Sequence, residues 1–562
     1  MRPARQLLHY SLMERPDNPR LRLGRPTLRS LAPWLIATVT VLAYFNSLKG
    51  PMIFDDIHSI QNNPSIRQLW PLTVPLATVT AGAFHTRPIA NLSLAINYAI
   101  SGLNAPDYHA FNLLIHILTA LTLFGLVRRT LSLQLFDDTL KQTATGTATA
   151  IALLWCLHPL TTSAVTYISQ RTEVLMAFFY LLTLYCLARG AISQFDTLWY
   201  TAAVIACALG MGSKEVMISA PLVALLYDRI FLSQSFRQAW QRRGKLHLAL
   251  AATWSVPALE SITTNFAIKR GGGAPLTVFE YLRTQSEVIL HYWRLSFWPH
   301  PLVLDYLDWP AAQLSPFLVV SCLAVVAALA ATVWALRFRP ACGFLGAFFF
   351  LILAPSSSFL PLFGEVAAER RMYLALAPII VLVVIGFQKA FDAQINRCSL
   401  STTQSHWLPT VMVIALATTL GVATARRNED YRSALAIWSD TAAKRPGNWR
   451  AVAEIGTALA AEGRPTEAIP YYQRALQLKP DYAMACVNWG VALGMQGKLD
   501  EAAAQLQQAL QLNSRSAYAH YNLGLVLSKQ GHTELAKAQF EQALRFDPTF
   551  VKARISLQQL RT

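Results

Sequence analysis

Long apolar blocks recur from residue 31 to residue 425, and they confine this chain to one kind of fold. A bilayer core takes about 20 consecutive apolar residues as a helix, because lipid offers no partner to an unpaired backbone group. Blocks suited to this lie at 31–48, 109–128, 146–165, 172–189, 197–212, 216–233, 246–266, 314–336, 341–360, 372–390 and 407–425. They predict an all-α membrane bundle of about eleven spans. Only 14% of the 562 residues are charged, against about 25% in a soluble chain. The seven cysteines are scattered, with no CxxC or Cys/His grouping. Neither a disulfide framework nor structural zinc is therefore expected.

Basic residues assign the sides of the membrane. The first 29 residues carry seven arginines against Glu14 and Asp17, so residues 1–30 read as a retained cytoplasmic segment. Membrane topology accounts for these charges without a nucleic-acid partner. Arg128-Arg129, Arg189, the run from Arg229 to Lys245, Arg337 with Arg339, and Lys389 with Arg397 follow alternate spans and mark further cytoplasmic turns. Loops 49–108, 267–313 and 361–371 then face outward. With an odd number of spans, so does everything after 425. The expected location is the inner membrane, with the carboxyl-terminal part on its periplasmic side. Apolar stretches at 89–98 and 283–306, the latter with Trp293, Arg294, Phe297 and Trp298, read as helices lying in the interface.

The last part of the chain follows a different rule. Gly456, Gly490 and Gly524 stand 34 residues apart, as do Gly463, Gly497 and Gly531, and so do the alanines at 468, 502 and 536 and at 475, 509 and 543. Small residues at fixed positions let paired antiparallel helices cross closely, and Pro480 and Pro548 end two of the repeats. This is the tetratricopeptide pattern. Full repeats are predicted at 449–480, 481–514 and 515–548, after a partial repeat at 431–448 and before a capping helix at 549–562. Such a solenoid, here 428–562 after a membrane domain at 31–427, offers a concave surface to a protein or peptide partner.

Polar residues also stand where lipid should exclude them. Just beyond the first span lies Phe54-Asp55-Asp56-Ile57, followed by Asn62-Asn63-Pro64. Arg87, His109, His158, Arg171 with Glu173, Lys214-Glu215, Asp305 and Glu369-Arg370-Arg371 with Tyr373 fall at the expected outer ends of spans. Ionisable residues in a membrane point to function. Arginine and lysine suit a phosphate, and a carboxylate suits proton removal from a hydroxyl. Together they suit transfer of a sugar from a polyprenyl phosphate. The same residues also have plainer readings. The Asp pair makes a turn or helix cap, Arg171 and Glu173 form a structural ion pair, and the histidines pack helices. No grouping demands a metal, no cofactor is expected, and a divalent ion at Asp55 and Asp56 is left open.

These motifs, with Arg87-Pro88-Ile89-Ala90-Asn91-Leu92-Ser93, Tyr108-His109-Ala110-Phe111-Asn112 and Leu304-Asp305-Tyr306, follow the order of one family. The chain resembles the transmembrane and tetratricopeptide-repeat O-mannosyltransferases and their bacterial relatives, over roughly 31–548. The resemblance implies the GT-C fold and transfer of mannose or another hexose from a polyprenyl phosphate, dolichyl or undecaprenyl, to a Ser or Thr hydroxyl. It places the base at Asp55 or Asp56, with Asp55 preferred. Phosphate contacts then fall on Arg370 and Arg371 first, with Arg87, Arg171, Lys214 and Tyr373 beside them. His109, His158, Glu173, Glu215 and Asp305 support the site. Two alternatives are a polymerase or ligase of lipid-linked oligosaccharide and a non-catalytic scaffold that recruits proteins through its repeats.

Overall fold

The structure, a computed structural model, describes residues 28–77, 87–263, 277–310, 313–357, 365–398 and 402–561. Most of the basic segment 1–30, and residues 267–276, 311–312 and 361–364 of the outer loops, lie outside these. Among the described residues the chain is all helical, 81% helix and without a strand.

The membrane helices bury stripes, and lipid takes their other faces. In α1 (Leu28–Tyr44) the residues Ala32, Ile36, Thr40, Ala43 and Tyr44 are buried, while Trp34, Leu35 and Leu42 are open. Their spacing of three to four residues is that of one helical face. Thr40 hydrogen-bonds both the Ile36 carbonyl and Cys156 Sγ, so the polar residue on that stripe is satisfied within the bundle. Helices α2 (Ala105–Leu131) and α3 (Arg171–Gly190) pack against each other at the centre, and α4 (Asp196–Met211) packs against α3. Helix α5 (Val278–Phe297) precedes α6 (Pro316–Phe338), which is apolar all round and mostly uncovered. Such a surface is stable only in lipid. Helices α7 (Met372–Cys398) and α8 (Thr402–Asp430) complete the series.

Among the described residues seven helices are long and apolar enough to cross a membrane, or eight if the pair Asp138–Cys156 and Pro159–Thr166, bent by 55°, counts as one span. The remaining blocks expected as spans lie at 197–266. There α4 has 16 residues, Ala220–Tyr227 has eight, and the helix Phe236–Ala252 is broken at Arg243. At this break Asp228 accepts from Arg243 at 2.7 Å and pairs with His247 at 2.8 Å.

After α8 the chain enters the arm almost without a loop. Helix α9 (Ala434–Lys444) is followed by the pairs α10 (Trp449–Ala461) with α11 (Pro465–Leu478), α12 (Ala483–Met495) with α13 (Leu499–Leu512), and α14 (Ala517–Lys529) with α15 (Thr533–Phe546). Helix α16 (Val551–Gln559) covers the end. The boundary expected at 427/428 falls inside α8, so bundle and arm share a continuous helix.

The two glycine series do different jobs. Gly497 sits between α12 and α13 at φ 78° with nothing within 4 Å of an added Cβ. At Gly490 an added Cβ would lie 2.8 Å from Leu506 Cγ and 3.1 Å from the Ala502 carbonyl. Gly497→Ala should cost about 1–2 kcal/mol, from the left-handed backbone alone. Gly490→Ala should cost about 1–3 kcal/mol by overpacking. Urea unfolding of the arm within the full chain measures both, and only at 490 should the smaller partner Leu506→Ala relieve the loss.

Candidate active site

The two adjacent carboxylates of the loop after α1 have separate surroundings. Asp56 is fully buried. Its Oδ2 accepts the Ile53 N–H at 3.0 Å and its Oδ1 accepts the Ser169 N–H at 2.7 Å. It thereby closes its own turn and ties the loop to the segment before α3. Burial pushes this carboxyl up to about 7, with those two N–H groups holding it lower. Asp55 is only partly buried. Its backbone N–H donates to the Tyr167 hydroxyl at 3.0 Å, and its carboxylate also lies in hydrogen-bond range of that hydroxyl. Burial and the nearby Glu365 carboxylate raise Asp55, while Tyr167, Arg370 and Arg450 lower it, with a net rise.

Beside Asp55 runs a row of cations, each held by a carboxylate. Deepest is Lys214, paired with Glu173, both nearly inaccessible. Arg370 pairs with Glu365. At the rim Arg87 donates to both oxygens of Glu215 at 3.1 Å. Arg370 lies within electrostatic reach of both Glu173 and Lys214, and Lys214 within reach of Glu215 and Arg87. Four separate parts of the chain meet here: the helix starts of α3 and α7, the turn after α4 and the residue before Pro88. Glu365 is held at about 2, since Arg370 and Arg371 outweigh the burial that would raise it. It is therefore a fixed negative partner and not a proton acceptor.

The other residues expected at the phosphate have partners of their own. Arg171 is fully buried and donates to Asn112 Oδ1 at 2.7 Å and to the carbonyls of Ser93 at 3.2 Å and Tyr108 at 3.0 Å. It clamps the helix Pro88–Ser101 to α2 and α3. Arg371 turns back onto the Glu365 and Val366 carbonyls and shapes its own loop. The Tyr373 hydroxyl meets His116 Nδ1 at 2.7 Å inside the bundle.

The supporting residues hold loops. His109 Nε2 meets the Gly50 carbonyl at 3.0 Å and so anchors the start of the Asp loop. His158 caps its own turn through Leu160 N–H and meets the Ser296 carbonyl at the end of α5. Asp305 receives Arg450 at 2.9 and 2.6 Å and Asn448 at 3.1 Å, which docks the arm. Among the described residues no three His, Cys, Asp or Glu side chains group to hold a metal ion. Both Asp56 oxygens point to backbone N–H groups, away from any ion shared with Asp55.

Tetratricopeptide-repeat family models match residues 423–483, 495–531 and 517–550. Over 511 residues the chain is 25% identical to the human protein O-mannosyl-transferase TMTC1, covering 81% of this chain and 56% of that protein. It is 24% identical over 476 residues to the Caenorhabditis elegans protein O-mannosyl-transferase F38B6.6, covering 80% and 63%. The chain is thus similar to protein O-mannosyl-transferases over most of its length, and its carboxyl-terminal part carries tetratricopeptide repeats. It spans a little over half the length of the curated relatives it matches. Among solved structures, that of ArnT from Cupriavidus metallidurans bound to undecaprenyl phosphate has a TM-score of 0.38 at 15% identity, covering 85% of this chain and 80% of that one. The protein MamA has a TM-score of 0.22 at 27% identity, covering 24% and 74%.

Several site residues escape a reading of the sequence. Tyr167 was hidden in an apolar stretch, although it stands four residues before Arg171. Glu365 had a signal, being a lone acid five residues before Arg370. Arg450 and Glu454 had none, since they lie on α10 of the arm. The arm packs directly on the Asp loop: Trp438 meets Phe54 edge-on at 5.1 Å, and the Arg450 guanidinium sits 5.6 Å from the Phe54 ring. Loop and arm therefore lie together by contact, whatever the number of spans.

Proposed function

We propose that this chain is a glycosyltransferase that moves a hexose, mannose first among the candidates, from a polyprenyl phosphate to a Ser or Thr hydroxyl of a polypeptide. The reaction takes place on the outer face of the inner membrane, with the amino terminus on the cytoplasmic side. The observation that carries the reading is the division of labour at residues 55 and 56. Asp56 anchors the loop through two backbone N–H groups, and this leaves Asp55 partly exposed beside the cation row.

Asp55 takes the acceptor hydroxyl proton as that oxygen attacks the sugar C1. The bond from C1 to the phosphate oxygen breaks on the opposite face, and its electron pair leaves with the phosphate. Configuration at C1 inverts, with no covalent intermediate on the protein. A base works best when its pKa is raised toward the working pH, which is the direction of the Asp55 shift. Arg370 and Lys214 each give one donor to a carboxylate and retain others for the leaving phosphate, with Arg87 at the rim. Charge stabilisation of this kind counts most where water is scarce.

The test is transfer of labelled hexose from dolichyl and undecaprenyl phosphates to a Ser/Thr peptide by the full chain in lipid nanodiscs. Arg370→Met should lower kcat by about 10²- to 10³-fold, as expected when a donor to developing charge is lost. Transfer by no member of the panel, from protein shown to be folded, would sink the reading.

A further inference from the structure

Glu454 stands on α10 at the junction of arm and Asp loop. It follows Arg450 by one helical turn on α10, so both face the same way. Arg450 is committed to Asp305 by two bonds and covers Phe54. Glu454 is half-buried, and among the described residues no hydrogen bond or ion pair is made to its carboxylate. Its electrostatic neighbours are Arg450 and two more carboxylates, Asp305 and Asp55. Tyr472 and Tyr482 also lie within its reach. Burial pushes this carboxyl up to about 7, with the acids adding to the rise. Carboxylates brought together from separate parts of the chain cost stability to the extent that donors do not meet them.

The same position recurs along the arm. Glu454, Asn488 and Asn522 are 34 residues apart on the successive helices α10, α12 and α14. The Asn488 amide nitrogen donates to Thr457 on α10, and that of Asn522 donates to the Tyr518 carbonyl. Each amide thus uses an N–H on the arm itself, and among the described residues their carbonyl oxygens accept no hydrogen bond. With Glu454 they form a row of acceptors that ends beside Asp55. A polyproline-type extended chain advances about 9.3 Å per three-residue turn and offers one N–H on the same side at each turn.

We propose that Glu454 is a positioning residue for the acceptor, taking a main-chain N–H of an extended polypeptide whose Ser or Thr hydroxyl lies at Asp55. Asn488 and Asn522 take N–H groups further along the same chain. The arm and the catalytic loop then form one acceptor track, and the modified hydroxyl sits at its membrane end. This rests on the reading of Asp55 as the base.

The test uses the full chain in nanodiscs with a polyprenyl-phosphate hexose and two synthetic Ser peptides, one of about five residues and one of about twelve, long enough for three turns. Glu454→Ala should raise KM for the long peptide about 10-fold or more, the loss expected for a hydrogen bond to a charged group, with kcat within about threefold. The short peptide should bind weakly to both proteins. Glu454→Gln keeps a carbonyl acceptor and should restore most of the affinity. An unchanged KM in Glu454→Ala overturns the inference. So does a Gln variant as poor as Ala toward peptides that need Lys or Arg, since Glu454 would then pair with a cationic side chain. Failure of the base reading shows separately, as full turnover in Asp55→Asn.

Discussion

Asp55→Asn should lower transfer by about 10²- to 10⁴-fold, the usual worth of a general base, while the protein stays folded. The Asp55 backbone N–H holds the loop to Tyr167, and an Asn at 55 leaves that bond in place while its amide oxygen can still accept from the same hydroxyl. Asp56→Asn should behave in the opposite way. An amide can offer one oxygen where Asp56 offers two, so either the Ile53 or the Ser169 N–H faces an NH₂ group in a dry setting. Leaving a buried donor unmet costs about 1–3 kcal/mol. The expected pattern is a stable, inactive protein from the first substitution and a less stable one from the second. Thermal unfolding and transfer rates measured on the same samples decide it. Equal turnover in Asp55→Asn and the unmodified chain would remove this residue from the chemistry.

Trp438→Ala should have the largest effect on stability. Trp438 is 1% exposed and belongs to the apolar cluster that joins Ile53, Tyr167 and Leu304 of the bundle to Tyr431 and Ile437 of the arm. Emptying such a site costs about 3–5 kcal/mol. The loss should also reach the reaction. Phe54 adopts φ 48°, a left-handed conformation that a bulky residue takes only when its neighbours hold it there. Trp438 against its ring edge and Arg450 over its face are those neighbours. Without Trp438 the loop can relax, and Asp55, the next residue, moves with it. Hydrogen exchange should rise together at 53–56 and at 434–444, with transfer falling in step. Faster exchange in the arm alone, with the loop and the rate unaffected, would show that the arm does not set the loop.

Most of the architecture was legible because it rests on local patterns. Apolar blocks near the bilayer thickness declare membrane helices, and a 34-residue step in Gly and Ala declares the repeats. Composition at 197–266 reads as apolar, and the pairing of Asp228 with Arg243 and His247 inside it follows no periodic pattern that the sequence displays.

Polar residues in the apolar blocks marked the region of the site, yet residue type and order could not sort them. Arg171 and Arg370 look alike in sequence; one is wrapped by Asn112 and two backbone carbonyls, and the other has a single carboxylate partner at the edge of the site. Asp55 and Asp56 are neighbours with opposite surroundings, because Ser169, more than a hundred residues away, takes one and not the other. The sequence alone therefore determined a membrane bundle, a repeat arm and a cluster of charge near the ends of its helices, since period and burial tendency are local properties. Only the tertiary structure decided which charges are committed to the backbone, and that the arm places Arg450 and Glu454 beside the Asp loop. Those contacts join segments about 400 residues apart, and such a contact leaves no trace in either segment read by itself.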